Sequence, residues 1–79
     1  MSALDELRRC FVETFDLGPE IDPAGLEYHG IQAWDSVGHM QLIAAIEDRF
    51  DIMIETQDIL DMSDFQHAVA IVRKYGIAL

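Results

Sequence analysis

Apolar side chains recur at spacings of three and four in three separate stretches of this 79-residue chain. That period commits the chain to helices, because residues so spaced share one helical face. Leu4, Leu7, Phe11 and Phe15 form the first stripe, with Asp5, Glu6, Arg8, Arg9 and Glu13 filling the remaining positions. Ser2 followed by Asp5 resembles a capping box, and Gly18-Pro19 is the expected stop. The second helix is expected from Ser36 to Phe50, capped by Asp35, with His39, Leu42, Ile43, Ile46 and Phe50 facing the core. The last is expected to open at Ser63, with Gln66 completing a capping box, and to bury Phe65, Ala68, Val69, Ile71 and Val72. Arg73 and Lys74 suit its final turn and Gly76 its end.

Between these stretches lie two connections. Residues 17–35 lack helical periodicity, and a loop this long in so small a chain points to function. Asp22-Pro23 predicts one short turn inside it; Ile21, Leu26, Tyr28, Ile31 and Trp34 are the expected anchors. Asp51 to Ile54 reads as a connector with Ile52 and Ile54 inward. Thr56 to Asp61 reads as a brief helix capped by Thr56, with Ile59 and Leu60 packing. The expected architecture is all-α, a small four-helix bundle of three main helices, one short helix and a long loop between helices one and two.

The second helix has a stripe to spare. Besides its core face it carries Val37, Met40, Gln41, Ala44, Glu47 and Asp48, apolar at the start and acidic at the far end. A helix in a small bundle needs one buried stripe, so a second one reads as a docking face. Charge supports this. Fifteen acidic side chains against five basic ones leave a net charge of −10. All the basic residues lie at positions 8, 9, 49, 73 and 74, and the stretch from Cys10 to Asp48 holds no Lys or Arg. A partner reading this region should be cationic. Nucleic acid and anionic membrane surfaces are excluded as partners, because both need Lys and Arg to meet phosphate.

Other classes fall on composition. The longest unbroken apolar runs, Leu42 to Ile46 and Ala68 to Val72, are far too short for a membrane span. Residues 1–15 lack the apolar core of a signal peptide, so the expected location is cytoplasmic. Cys10 is alone, which excludes an internal disulfide. His29 and His67 show no metal-ligand spacing, and Asp58, Asp61 and Asp64 lack the glycine of an EF-hand loop, so no metal site is expected. Ser36 and His39 are three apart and could be drawn as nucleophile and base, but His39 falls on the apolar stripe and reads as a packing residue. An enzyme is therefore not expected. What remains is Ser36 itself, delivered by the loop onto a helix start. There its hydroxyl faces outward beside unpaired N–H groups and the positive end of the helix dipole, a setting that favours a phosphate ester.

The run Trp34-Asp35-Ser36-Val37-Gly38-His39-Met40, followed by Leu42, Ile46, Glu47 and Phe50, resembles the acyl carrier proteins, and the resemblance covers essentially the whole chain. It implies that Ser36 receives 4′-phosphopantetheine from coenzyme A, through a separate magnesium-dependent phosphopantetheinyl transferase. It also implies that Asp35 is read by that transferase. Acyl or aminoacyl groups would then travel as thioesters between loading and transferring enzymes whose basic patches dock on Val37, Met40, Gln41, Ala44, Glu47 and Asp48. Gly38 and Gln41 depart from the acidic residues usual in fatty-acid carriers, and Gly38 costs roughly 1 kcal/mol of helix propensity against Ala. Trp34 and the Gly-His-Met continuation look more like carriers of specialised pathways. With Met1 at its start and no linker at either end, the chain is expected to act free-standing and as a monomer. The alternative is a carrier-fold or acidic helical docking or regulatory module without a prosthetic group.

Overall fold

The first apolar stripe becomes helix α1, Ala3–Phe15, in a computed structural model that describes residues 2–79. Ser2 Oγ accepts the Asp5 N–H at 3.1 Å, which satisfies one of the donors a helix start leaves open. Leu7, Cys10, Phe11 and Phe15 are buried. The helix stops before the predicted Gly18-Pro19. Asp16 adopts the left-handed conformation, with φ at 52°, and Leu17 folds back so that its N–H reaches Val12 O at 3.0 Å. The period marked where the apolar face ends, but which residue takes the left-handed turn depends on how Leu17 packs against the core.

Helix α2 runs Ser36–Phe50 as expected, and Asp35 caps it. It ends as α1 does, on a left-handed aspartate, Asp51, with Ile52 folding back to Glu47 O. Helix α3 is Thr56–Asp61; its cap position is Glu55 rather than Thr56, and no side chain caps it. Leu60, expected to pack, is instead 71% exposed, while Asp58 takes the buried place. A helix of six residues has one inward edge, and Asp58 with Ile59 occupies it. Helix α4 is Phe65–Lys74, opened by Asp64 and not by a Ser63/Gln66 box: Asp64 Oδ1 accepts the His67 N–H at 2.8 Å. Two capping residues compete here, and the carboxylate at the later position wins because it lies three residues before His67.

These four helices, with a single 3-10 turn at Pro23–Gly25, make up the regular structure of the described residues, which contain no strand. They close on one core built around an aromatic cluster. Phe11 meets Phe15, Trp34 and Phe65 edge-on at centroid distances of 6.1, 5.5 and 5.1 Å. Leu42, Ile43 and Ile46 of α2, and Ala68, Ile71 and Val72 of α4, complete it. The radius of gyration is 11.3 Å, against about 11.6 Å expected for a folded chain of this length. No helix is long and apolar enough to cross a membrane.

Two polar ties fix the short helix that burial alone would hold weakly. Asp58 accepts both from Lys74 Nζ, at 2.8 and 2.9 Å, and from Tyr75 Oη, at 2.6 Å. The Tyr75 hydroxyl in turn accepts the Glu55 N–H at 2.8 Å, supplying from α4's end the cap that α3 lacks. Hydrogen bonds from Lys74 and Tyr75 hold the Asp58 carboxyl below the usual carboxylate range; the same contacts push Lys74 and Tyr75 up.

Candidate functional site

The long loop is ordered by a chain of local turns. Asp22 Oδ1 accepts the Ala24 N–H at 3.0 Å, with Pro23 at the first position of the 3-10 turn, as the sequence predicts. Tyr28 N–H then donates to Ser63 O at 2.7 Å, tying the loop to the start of α4. His29 takes a left-handed conformation, and its N–H reaches Trp34 O at 3.0 Å, so residues 29–34 form a closed turn. Of the expected anchors, Trp34 is fully buried and Leu26 and Ile31 pack partly, whereas Ile21 and Tyr28 lie on the surface. Loop geometry spends their apolar area on the rim rather than the core.

Trp34 decides where the next residues go. With its indole locked among Phe11, Phe15 and His39, the backbone leaves the core at Asp35. Asp35 Oδ1 accepts the Gly38 N–H at 2.8 Å and the Asp35 carbonyl accepts the His39 N–H at 2.8 Å, so the cap is complete. Ser36 follows as the first residue of α2, exposed, at the positive end of the helix dipole.

Gly38 is buried, and its place is geometric. A Cβ there would overlap the Ala33 carbonyl oxygen and press on Phe15. The roughly 1 kcal/mol that glycine costs in a helix is thus offset by the close approach of the loop, which carries Asp35 and Ser36 into position. A glycine in a helix's first turn was the available signal, since a helical glycine can mark a close backbone approach.

His39, one turn beyond Ser36, is a bridge between three elements. Trp34 Nε1–H donates to His39 Nδ1 at 2.9 Å, and His39 Nε2–H donates to Ile59 O at 2.7 Å. The two partners assign the tautomer, because an indole N–H can only donate and a carbonyl can only accept. Both ring nitrogens are occupied, so His39 does not serve Ser36 as a base. Its ring also stacks on Trp34, 6.2 Å between centroids and 16° between planes, and meets Tyr28 at 5.3 Å. Beside it, between the loop, α2 and α3, lies a cleft of about 120 Å³ lined by Tyr28, His39, Ile59, Leu60, Met62 and Ser63. Neither the bridge nor the cleft was legible in the sequence, since both need α3 folded against α2. A broader, open depression on α1, lined by Asp5, Arg8, Arg9 and Val12, is unconnected with Ser36 by any shared element.

The outward side of α2 carries Val37 at 65% and Met40 at 53% exposure, with Gln41, Ala44 and Asp48 also exposed. Glu47 is half-buried and committed elsewhere: its Oε2 accepts the Ile54 N–H at 2.8 Å and fixes the connector after α2. Leu60 adds an apolar side chain from α3 that the sequence pattern assigned to the core. Cys10 is buried, and burial pushes its thiol up, which leaves it a packing residue. Asp64 is held low by the His67 backbone N–H and, secondarily, by the His67 ring at 2.7 Å. Among the described residues no group of three or more His, Cys, Asp or Glu side chains could hold a metal ion.

Comparison with models of known protein families, with curated proteins and with solved structures finds no match.

Proposed function

We propose that this chain is a carrier protein whose Ser36 hydroxyl takes a 4′-phosphopantetheine arm, its fold being a small bundle of the acyl-carrier type. The observation that carries the reading is the delivery of Ser36: an exposed hydroxyl at the start of α2, with its backbone pinned by the buried Trp34 and capped by Asp35. The residues present fit the group. The serine is open to another enzyme, it stands at the positive end of the helix dipole, and no Cβ-bearing residue could replace Gly38 without displacing the loop. Bound at Ser36, the group would supply a terminal thiol on which acyl or aminoacyl cargo is held as a thioester. The chain's own residues do the rest: Trp34 and Gly38 position, Asp35 caps and presents a carboxylate to the transferase, and the chain itself catalyses no step.

A carrier handed between enzymes requires contacts that form fast and release readily. Val37 and Met40 offer a small apolar centre, and Gln41, Ala44 and Asp48 extend it along α2. Partners with Lys- and Arg-rich docking patches fit the net charge of −10. The cytoplasmic and monomeric character belongs to the same reading.

Incubation with coenzyme A, magnesium and a broad-specificity phosphopantetheinyl transferase, followed by intact mass, tests it. The expected result is a gain of one phosphopantetheinyl group by the native chain and none by Ser36→Ala. A folded native chain that gains nothing from active transferases of two classes overturns the carrier and leaves an acidic docking module, which should bind its partner equally well as Ser36→Ala.

A further inference from the structure

We infer that His39 is a proton-sensitive latch that positions Ser36. With Nδ1 bare, its ring holds the Trp34 indole and, through it, the loop that delivers the serine; a second proton on the ring releases that loop while α3 stays attached. The inference goes beyond the carrier reading and stands without it, since the latch acts on the placement of Ser36 whatever the hydroxyl receives.

The two bonds of the ring respond differently to a proton. Trp34 Nε1–H donates to His39 Nδ1 at 2.9 Å, so this bond needs a bare nitrogen. His39 Nε2–H donates to Ile59 O at 2.7 Å, and the neutral and the protonated ring make that bond alike. In the doubly protonated ring, two N–H groups point at each other across the first contact. Trp34 has no exposed surface, so water does not replace the lost acceptor in place. A buried donor without a partner costs more than its bond contributed. The indole must therefore move, and Asp35 and Ser36 follow it directly in the chain. The bond from His29 N–H to Trp34 O, at 3.0 Å, couples the whole turn over residues 29–34 to the indole's place.

No counter-charge meets the added proton. His39 stands in the first turn of α2, where the helix dipole opposes a cation, and it has no salt-bridge partner among the described residues. From the loop, the Tyr28 ring meets it at 5.3 Å, a contact that both charge states make, and His29 lies against Tyr28 at 4.2 Å. From α3 come Ile59 and Leu60, and beyond it Met62 and Ser63, all uncharged. The acids of these segments are engaged elsewhere: Asp35 with Gly38 N–H, Asp58 with Lys74 and Tyr75, Asp61 with Gln57, and Asp64 with His67. The ring is half-buried and lines the cleft, so a proton reaches it from solvent. Since the latched state requires the neutral ring, the latch holds at high pH and opens as pH falls.

Trp34 is the only tryptophan, so its fluorescence and its indole N–H resonance each report this one place. The test follows both in the native chain from pH 8 to pH 5, the span over which a free imidazole takes its second proton, with the His39 ring C–H resonances beside them. The expected result is one transition shared by Trp34 and His39. The emission maximum should move to longer wavelength, and protection of the indole N–H, corrected for the intrinsic exchange rate, should fall about fivefold, the weight of one hydrogen bond. Amide exchange should rise over residues 29–36 and stay level over 55–61. His39→Asn, which sets an amide oxygen that takes no proton in this span near the place of Nδ1, should hold the Trp34 signals flat. His29→Asn and His67→Gln should leave the transition unchanged. Flat Trp34 signals in the folded native chain, a transition that follows His29 or His67, one that persists in folded His39→Asn, or exchange that rises over 55–61 instead overturns the inference. If His39→Asn does not fold, the native chain decides alone: a shared midpoint supports the latch and separate midpoints overturn it. Mass gain at Ser36 is measured separately and bears only on the carrier.

Discussion

Gly38 and Asp35 show how single residues decide the placement of the serine. Replacing Gly38 by Ala raises helix propensity yet sets a Cβ against the Ala33 carbonyl, which is backbone and can yield only by moving the loop. Gly38→Ala should lose about 1–3 kcal/mol in a denaturant titration, the range for overpacking, and should slow modification of Ser36. Asp35 has two separable roles. Asn caps a helix as well as Asp does, so Asp35→Asn should hold stability while Asp35→Ala loses about 1 kcal/mol. If the transferase reads the carboxylate, both variants should load slowly, and the time course of mass gain separates that charge from the cap that Asp35 Oδ1 gives Gly38 N–H.

At the scale of elements, the two long helices both end on an aspartate in the left-handed region, Asp16 at 52° and Asp51 at 54°. A side chain with a Cβ is strained there, and a carboxylate at a helix C-terminus faces the negative end of the dipole. Asp16→Gly and Asp51→Gly should each stabilise the chain by about 0.5–1 kcal/mol, additive in the double variant because they lie on different helices. Helix α3 behaves differently, since its attachment is largely ionic. Asp58 is held low, so its contribution is complete above the unfolded carboxylate value and is lost as pH falls below about 4. Lys74 and Tyr75 are held high, so theirs is complete below about pH 10 and is lost as pH rises beyond it. Thermal midpoints of Asp58→Asn across this span should lie below those of the native chain at neutral pH and converge with them in acid. Hydrogen exchange should place the loosening in residues 55–61.

Across the whole molecule, three of the five basic side chains are paired internally with acids. Arg49 pairs with Glu6 and Glu13, Arg8 with Asp22 and Lys74 with Asp58. Asp48 of α2 and Asp61 of α3 face solvent without a salt-bridge partner among the described residues, on a body measuring 29 × 28 × 19 Å. Exposed pairs of this kind add little stability, whereas self-repulsion at −10 subtracts from it. Raising salt from 10 mM to 1 M shortens the screening length from about 30 Å to about 3 Å. The thermal midpoint should then climb by several degrees while association with a cationic partner weakens. A midpoint that falls with salt would mean that the pairs outweigh the repulsion.

The helical period by itself determined that α1, α2 and α4 exist and which faces they bury, because a 3.6-residue repeat of apolar side chains has one solution in water. Capping chemistry determined Ser2, Asp35 and the Asp22-Pro23 turn, because these bonds close within three residues. The pattern failed where a partner distant in the chain decided the outcome. Leu60 looked like core, yet hydrogen bonds from Lys74 and Tyr75 draw the Asp58 carboxylate into the buried place, and the helix is too short to bury both. Glu47 looked like part of a docking face until the connector folded back to use it. The bridge from Trp34 through His39 to Ile59 joins residues 20 apart or more at its far end, and the cleft beside it exists only once three elements meet. Sequence determined where the exposed serine stands on its helix; tertiary structure alone decided what surrounds it, because hydrogen bonds between elements depend on packing that no local period encodes.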